Sequence, residues 1–341
     1  LRAIVARLTP VQYPSQPAMA YRIFCDLAGP EDALQALKAG TKGHELLFPT
    51  KPAVSCLHKA DPDPLMSLAD IIVGQPDPEA VANAPAVKWI QISSSSITRY
   101  DDPGFRTLVT SRKIAVCNSA SVYSEACAEH ALAFMLAQAR LLPHSLRTRA
   151  AGGTQIWNEL REASIPLSGQ SVLIVGYGAI GKRLTELLTP LSMRVMAHRR
   201  APRDDDGVDM IELRHLPRAL AAADHVIDIL PDSAQTHHFF NAARFGNMKL
   251  GSVFYNIGRG TTVDQDALLA VLRTEHLRAA WLDVTDPEPL PDDDPLLAQR
   301  NCYITPHVAG GHAHESVTFV RHFLANLSRF ERGEPLRDRV M

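Results

Sequence analysis

The sequence contains no apolar run approaching the roughly 18 residues that a membrane-spanning helix requires. Its most hydrophobic helix-like stretch, 126–142, is interrupted by Glu129, His130, Gln138 and Arg140. Neither sign of charge is in excess. With 35 Lys and Arg against 37 Asp and Glu, the net charge is −2, so the basic field that drives binding to nucleic acid or to a membrane surface is missing. Cysteine is scarce. The five, at positions 25, 56, 117, 127 and 302, are odd in number and scattered, form no C-x-x-C pair, and read as thiols of a reducing compartment. Residues 1–20 show no signal-peptide pattern, because Arg2 and Arg7 break the only apolar cluster. The expectation from these absences is a cytoplasmic protein with neither nucleic acid nor membrane as a partner.

What is present points to a two-domain α/β protein. A chain of 341 residues exceeds the roughly 100–200 residues of one domain. At 46% hydrophobic and 21% charged residues it has a globular composition and buries a core without disulfides or structural metals. Histidine is abundant, at 14 residues, which directs attention to a metal site or to acid–base chemistry.

Strand-like and helix-like segments alternate. An apolar run at 21–27 leads through Gly29-Pro30 into a helical pattern over 31–39, and short strands follow at 69–74, 87–92 and 113–117. The spacing then predicts a long Ala-rich helix over 119–142, capped by Ser124, closed by Pro143 and crossing between two domains. Residues 150–168, with Gly152-Gly153 and Pro166, read as a loop. A second series of strands is expected at 171–175, 194–198, 224–230, 252–256, 279–284 and 301–305, and a final helix at 316–331. Strands alternating with helices imply parallel sheets covered on both faces. The expected fold is two Rossmann-like or flavodoxin-like domains. A discontinuous substrate domain would comprise 1–117 and 309–341, and a dinucleotide-binding domain 118–308.

Gly176, Gly178 and Gly181, with Ala179 and Ile180 between the last two, fit G-x-G-x-x-G after an apolar strand and before a helix-compatible run ending at Pro190. In that context the first glycine permits a tight turn, the second lets backbone approach a pyrophosphate, and the third allows close helix–strand packing. The acid that would bind a ribose 2′-hydroxyl is missing from the end of the next strand. Residues 198–200 are His-Arg-Arg, and Arg199 and Arg200 suit a 2′-phosphate, favouring NADP(H) over NAD(H).

Three further residues stand at strand ends or in the loops beyond them: Arg259, Glu288 and His307. Ligands of an open parallel sheet sit beyond the carboxyl ends of its strands, so all three would converge on the nicotinamide end of a cofactor. Hydride transfer to a 2-oxo acid needs a cation for the carboxylate and a proton donor. Arginine supplies the first with a bidentate fork, and histidine oriented by a carboxylate supplies the second. A rival arrangement, metal binding by His307, His312 and His314 with Glu315, lacks a completing cysteine or upstream histidine, so no metal is expected. His237 and His238 read as surface residues.

The pieces Val122–His130, Gly176–Gly181, Leu230-Pro231-Asp232-Ser233, Asn256–Gly260, Trp281-Leu-Asp-Val with Glu288-Pro-Leu-Pro291, and Thr305-Pro-His-Val-Ala-Gly310 occur in one order over residues 20–335. In this the sequence resembles the D-isomer-specific 2-hydroxyacid dehydrogenase family, in particular its glyoxylate/hydroxypyruvate reductase-like members. The resemblance implies that Arg259 anchors the substrate, Glu288 orients His307, and His307 is the acid/base. It implies that Asp283 contacts the nicotinamide amide, and that Leu230, Pro231 and Ile257 wall the cofactor, with Gly258, His307 and Gly310 beside them. Ser95 and Ser96 would form the carboxylate loop, a cleft between the domains would close over the substrate, and the protein would be a homodimer built on the nucleotide domain.

Two departures stand out. The family's glycine in the loop after 87–92 is replaced by Ser94-Ser95-Ser96, followed by Thr98 where an Asp is common, so another loop path or added hydroxyl donors are expected. Residues 1–20 precede the usual first strand and have no counterpart. Two alternatives accompany the reading of a small 2-oxo acid reductase. One is a cofactor-sensing, corepressor-like binding protein without turnover. The other is a phosphorylated or non-carboxylate substrate met by Arg99, Arg106 and Arg112.

Overall fold

The structure is a computed structural model that describes residues 20–27, 29–52, 60–148, 153–201 and 207–341. Cys56, most of the segment 1–20 and Gly152 lie outside the described residues. The chain divides into two compact units: the described residues of Leu1–Ser119 with His314–Met341, and Ala120–Ala313.

The first unit is built on five parallel strands: β1 (Arg22–Cys25), β2 (Glu45–Leu47), β3 (Ile71–Gly74), β4 (Trp89–Ile92) and β5 (Ala115–Cys117). They lie in the order β2-β1-β3-β4-β5, a flavodoxin-like arrangement. β3 and β4 are buried at every residue, as strands covered on both faces must be, which is why they are continuous apolar runs rather than alternating ones. The C-terminal helix Glu315–Glu331 completes this core. Phe319, Val320 and Phe323 are buried, Phe323 stacks on Trp89 at 5.3 Å, and a side chain at Gly40 would overlap Leu324, so the helix Glu31–Gly40 packs there at close range.

The second unit holds seven parallel strands: β6 (Ser171–Val175), β7 (Arg194–His198), β8 (Asp209–Met210), β9 (His225–Asp228), β10 (Val253–Asn256), β11 (Ala279–Leu282) and β12 (Cys302–Ile304). Their order is β12-β11-β10-β9-β6-β7-β8. The chain steps outward from β6 through β7 to β8, then returns to the other side of β6 to lay down β9 to β12. The order therefore reverses between β6 and β9, where Val175 pairs with Asp228 at the carboxyl ends. This is the switch point at which such sheets bind dinucleotides.

Two helical expectations need correction. The long helix spans Ala120–Ala139, not 119–142. Ser124 lies inside it, with its hydroxyl donating to Ser121 O, and Pro143 sits in the first turn of a following helix, Leu142–Thr148, where its missing N–H costs nothing. The stretch read as a loop contains a helix, Gly153–Ala163, that buries none of its residues.

Candidate active site

The turn after β6 is the first element. Gly176 N and Tyr177 N both donate to His198 O, at 2.9 and 3.1 Å. Gly176 has φ +97°, and a Cβ there would lie 2.6 Å from the backbone of Ile229. Only glycine meets both conditions. A Cβ at Gly178 would meet nothing nearer than Gly176 O at 4.0 Å, so there is open space before the helix Ala179–Leu188, whose N-terminus carries no side-chain cap. A Cβ at Gly181 would lie 2.9 Å from the Tyr177 ring and 3.3 Å from Ile174. Each glycine thus serves a different need, and together they form a cradle that fits the pyrophosphate of a dinucleotide. β7 ends on the buried His198, whose Nδ1 is 2.7 Å from Ile211 O, followed by a half-buried Arg199 and an exposed Arg200.

The turn after β10 presents Arg259. Asn256 shapes it with both ends of its amide: Oδ1 accepts from Gly258 N at 2.9 Å and Nδ2 donates to Arg259 O at 3.0 Å. A Cβ at Gly258 would lie 2.7 Å from Leu230 O, and one at Gly260 only 1.9 Å from Thr285 O. The arginine is therefore carried on a turn wedged between the chain leaving β9 and the chain leaving β11. Leu230 and Ile257 are buried beside it, and Pro231 is exposed.

Beyond β11 and β12 lie Asp283, Glu288 and His307. His307 Nδ1 is 2.5 Å from Glu288 Oε1, and Nε2 has no partner among the described residues. The pair is part-exposed, with 27% of the His307 and 38% of the Glu288 side chain accessible. His307 has φ +52°, a left-handed conformation uncommon outside glycine and enriched at functional sites. Asp283 holds it there. Its Oδ1 accepts from Thr305 Oγ1 at 2.6 Å and Val308 N at 2.9 Å, its Oδ2 accepts from Ala309 N at 2.8 Å, and its backbone O accepts from His307 N at 2.9 Å. The side chain read as a nicotinamide contact thus also organises the histidine loop.

The helix Ala120–Ala139 braces this loop from behind. His130 Nε2 is 3.3 Å from Thr305 Oγ1, and burial holds its pKa below the usual histidine range despite the nearby Asp283. Burial pushes the Cys127 thiol up to about 12; Asp283 adds to the rise and Arg259 opposes it, so all three share one neighbourhood. Cys127 is an inert packing thiol, and a Cβ at Gly310 would reach its sulfur at 3.7 Å.

Ser95 and Ser96 belong to the first unit. None of Ser94, Ser95 and Ser96 adopts positive φ, so the loop takes a path that does not need glycine. Ser94 Oγ donates to Ser96 O at 2.8 Å and Asn118 Nδ2 to Ser95 O at 2.7 Å, while the backbone N–H groups of Ser95 and Ser96 make no hydrogen bond among the described residues. Arg99, Arg106 and Arg112 bond locally to Gln75, Asp101 and the carbonyls of Val81 and Ala84. His237 and His238 are exposed and stacked at 4.0 Å. Among the described residues no three His, Cys, Asp or Glu side chains gather as metal ligands, and no helix is long and apolar enough to cross a membrane.

Comparison with known proteins decides the family. Residues 132–309 match the family model for the D-isomer specific 2-hydroxyacid dehydrogenase, NAD binding domain. The chain belongs to this family. It is 33% identical over 231 residues to the human glyoxylate reductase/hydroxypyruvate reductase, covering 67% of this chain and 70% of that protein. It is 34% identical over 233 residues to glyoxylate/hydroxypyruvate reductase B of Salmonella newport (strain SL254), with coverages of 67% and 70%. A crystal structure of the D-isomer specific 2-hydroxyacid dehydrogenase of Xanthobacter autotrophicus Py2, in complex with NADPH and MES, superposes with TM-score 0.74 at 25% identity, covering 95% of this chain and 98% of that one. This dehydrogenase is thus an NAD(P)-dependent oxidoreductase with a Rossmann-type fold.

Sequence reading missed the polar residues that hold the dehydrogenase site from beneath: Asp228 and Thr262, both fully buried, and the amide of Asn256. The one available signal was Asp228, an acid between the apolar residues Val226-Ile227 and Ile229-Leu230.

Proposed function

We propose that this dehydrogenase reduces small 2-oxo acids such as glyoxylate, hydroxypyruvate or pyruvate to the 2-hydroxy acids, with NADP(H) preferred over NAD(H). The observation that carries the reading is the His307–Glu288 pair at 2.5 Å, with the opposite ring nitrogen available for a substrate oxygen. The nicotinamide cofactor, when bound, supplies the hydride that C2 of the 2-oxo acid receives. The Gly176–Gly181 cradle would hold its pyrophosphate and Asp283 its nicotinamide amide, with Leu230, Pro231 and Ile257 as the wall and Gly258 and Gly310 beside them. His307 Nε2 gives its proton to the carbonyl oxygen, and Glu288, on Nδ1, keeps the ring turned for that transfer. Arg259 takes the substrate carboxylate through its planar fork. The unpaired N–H groups of Ser95 and Ser96 support the role of that loop as a second carboxylate grip.

The cofactor preference is supported by the absence of a carboxylate at the end of β7 and by Arg199 and Arg200 in its place. A homodimer is supported by the helices Leu142–Thr148 and Gly153–Ala163, which bury nothing of their own and expose Leu142, Leu146 and Trp157. The unpaired thiols of Cys25, Cys117 and Cys127 suit a cytoplasmic location.

The test is turnover of a panel of 2-oxo acids with NADPH and with NADH, in wild type and His307→Ala. Loss of a positioned general acid lowers kcat roughly 10²–10⁴-fold, while NADPH affinity is retained. Cofactor binding without turnover by the wild type, or undiminished turnover by His307→Ala, refutes the mechanism.

A further inference from the structure

We propose that Asp228 is held as a neutral acid and serves as a positioning residue, relaying a hydrogen bond through Thr262 to the backbone of Arg259 and so making substrate anchoring sensitive to pH. The inference rests on the reading of Arg259 as the carboxylate anchor.

Asp228 closes β9 at the switch point, with Val175 of β6 on one side and Asn256 of β10 on the other. It is fully buried. Its Oδ1 accepts from Leu230 N at 2.9 Å, and its Oδ2 lies 2.6 Å from Thr262 Oγ1. The same Thr262 Oγ1 lies 2.6 Å from the carbonyl oxygen of Arg259. A threonine hydroxyl has one hydrogen, and a carboxylate oxygen and a carbonyl oxygen are both acceptors. Two separations of 2.6 Å therefore need two hydrogens. If Asp228 is ionised, only one is present and one of the short contacts sets lone pair against lone pair. If Asp228 is protonated, the chain is complete: Asp228 Oδ2–H donates to Thr262 Oγ1, and Thr262 Oγ1–H donates to Arg259 O.

Burial acts in the same direction. It pushes Asp228 up to about 7, against the opposing hydrogen bonds from Thr262 and Leu230. The residues beside it on β6 and β10, Val175 and Asn256, are uncharged, and the charged residues of the turns after β10 and β9 are Arg259 and Asp232. Below about pH 7 the relay stands. Above it, the single hydrogen of Thr262 turns to the anion, and Arg259 O retains Asn256 Nδ2 at 3.0 Å and Thr262 N at 3.3 Å. The turn carrying the guanidinium is then held by one hydrogen bond fewer.

Asp228→Asn separates this role from a structural one. The amide nitrogen donates to Thr262 at every pH, and the amide oxygen still accepts from Leu230 N. With glyoxylate, saturating NADPH and steady-state kinetics, the wild-type KM is expected to rise roughly three- to tenfold between about pH 6 and about pH 8.5, the worth of one hydrogen bond. Asp228→Asn should match wild type within about twofold at the lower pH and hold a KM several-fold below it at the higher. Thr262→Val, which cuts the relay, should show a raised KM at both. An Asp228→Asn enzyme that follows the wild-type profile overturns the proposal. Should that variant fail to fold, a Thr262→Val enzyme whose KM still climbs with pH as in wild type overturns it equally. Absence of any wild-type turnover overturns the proposed function and this inference together, whereas a normal wild type with an unresponsive Asp228→Asn overturns only the inference.

Discussion

Asp283→Asn, which preserves shape and removes charge, tests how the histidine loop is held. Both carboxylate oxygens of Asp283 accept from backbone N–H groups, Val308 on Oδ1 and Ala309 on Oδ2, and Oδ1 also accepts from Thr305. An amide has one oxygen. In its better orientation it keeps Thr305 and Val308 and turns its NH2 against Ala309 N–H; the reverse orientation loses two bonds instead of one. The site is almost wholly inaccessible, with Asp283 2% exposed, so water does not repair the defect. One lost bond to a charged group is worth about 1.5–3 kcal/mol and one orphaned buried donor about 1–3 kcal/mol, a combined cost of about 2.5–6 kcal/mol. At about 2–4 °C per kcal/mol for a unit of this size, melting should fall by on the order of 10 °C. The loop would also lose its hold on His307 at φ +52°, and kcat should fall roughly tenfold or more. The assay pairs thermal melting with steady-state kinetics and NADPH affinity. If Asp283 acted only on the nicotinamide amide, Asp283→Asn would weaken cofactor binding and leave melting within about 2 °C of wild type. That outcome refutes the loop-holding argument.

Gly260→Ala should be poorly tolerated, because its Cβ would lie 1.9 Å from Thr285 O; a cost of about 1–3 kcal/mol or more in melting and a higher KM for the 2-oxo acid are expected, and wild-type values for both would contradict the wedge. Replacing Arg199 and Arg200 together with alanine should raise the KM for NADPH roughly tenfold or more and leave that for NADH within about twofold; equal losses with both cofactors would remove the 2′-phosphate argument. His225 lies between Tyr255 Oη and Gln170 Oε1, each at 3.0 Å, and burial pushes its pKa down to about 4, with Asp224 opposing and Arg278 assisting. The unfolded chain protonates histidine near 6.5. Its contribution is therefore complete above about pH 6.5 and lost as pH falls toward 4, by on the order of 3 kcal/mol. His225→Gln should flatten that acid limb in melting measured against pH, and an unchanged limb would show that the proton goes elsewhere.

How much of this was legible in the sequence depends on where each signal resides. β6 and β7 match the expected 171–175 and 194–198 residue for residue: β6, buried at every residue, is a short apolar run between turn residues, and β7 has the apolar Val195–Ala197 at its centre. β2 and β8 were not read, being three and two residues long, too short to form a run. The helix Gly153–Ala163 was read as loop because glycines stand at its start, although Ile156, Trp157 and Leu160 already carried helical spacing. The pairing of Glu288 with His307 was legible because a histidine and a carboxylate suit one another chemically and both stand in loops beyond strand ends.

The carboxylates were not legible in the same way. Asp26, Asp228 and Asp283 each stand at or just beyond the end of a strand, and each accepts from backbone N–H groups that no side-chain motif records. Asp26 takes Gln75 N on both oxygens at 3.0 Å and is pushed up to about 7 by burial, against the pull of that bond and of Arg99. Asp228 takes Leu230 N and shares a hydroxyl with a carbonyl, an arrangement that counts hydrogens and so selects the neutral acid. Asp283 takes two amides and a hydroxyl, three donors spread over its two oxygens. One residue type in three equivalent topological positions thus holds its strand end by different proton inventories. What distinguishes them is the set of backbone and hydroxyl donors, and of competing acceptors, that the fold brings to each, a set that exists only once β3, the turn after β9 and the loop after β12 are in place.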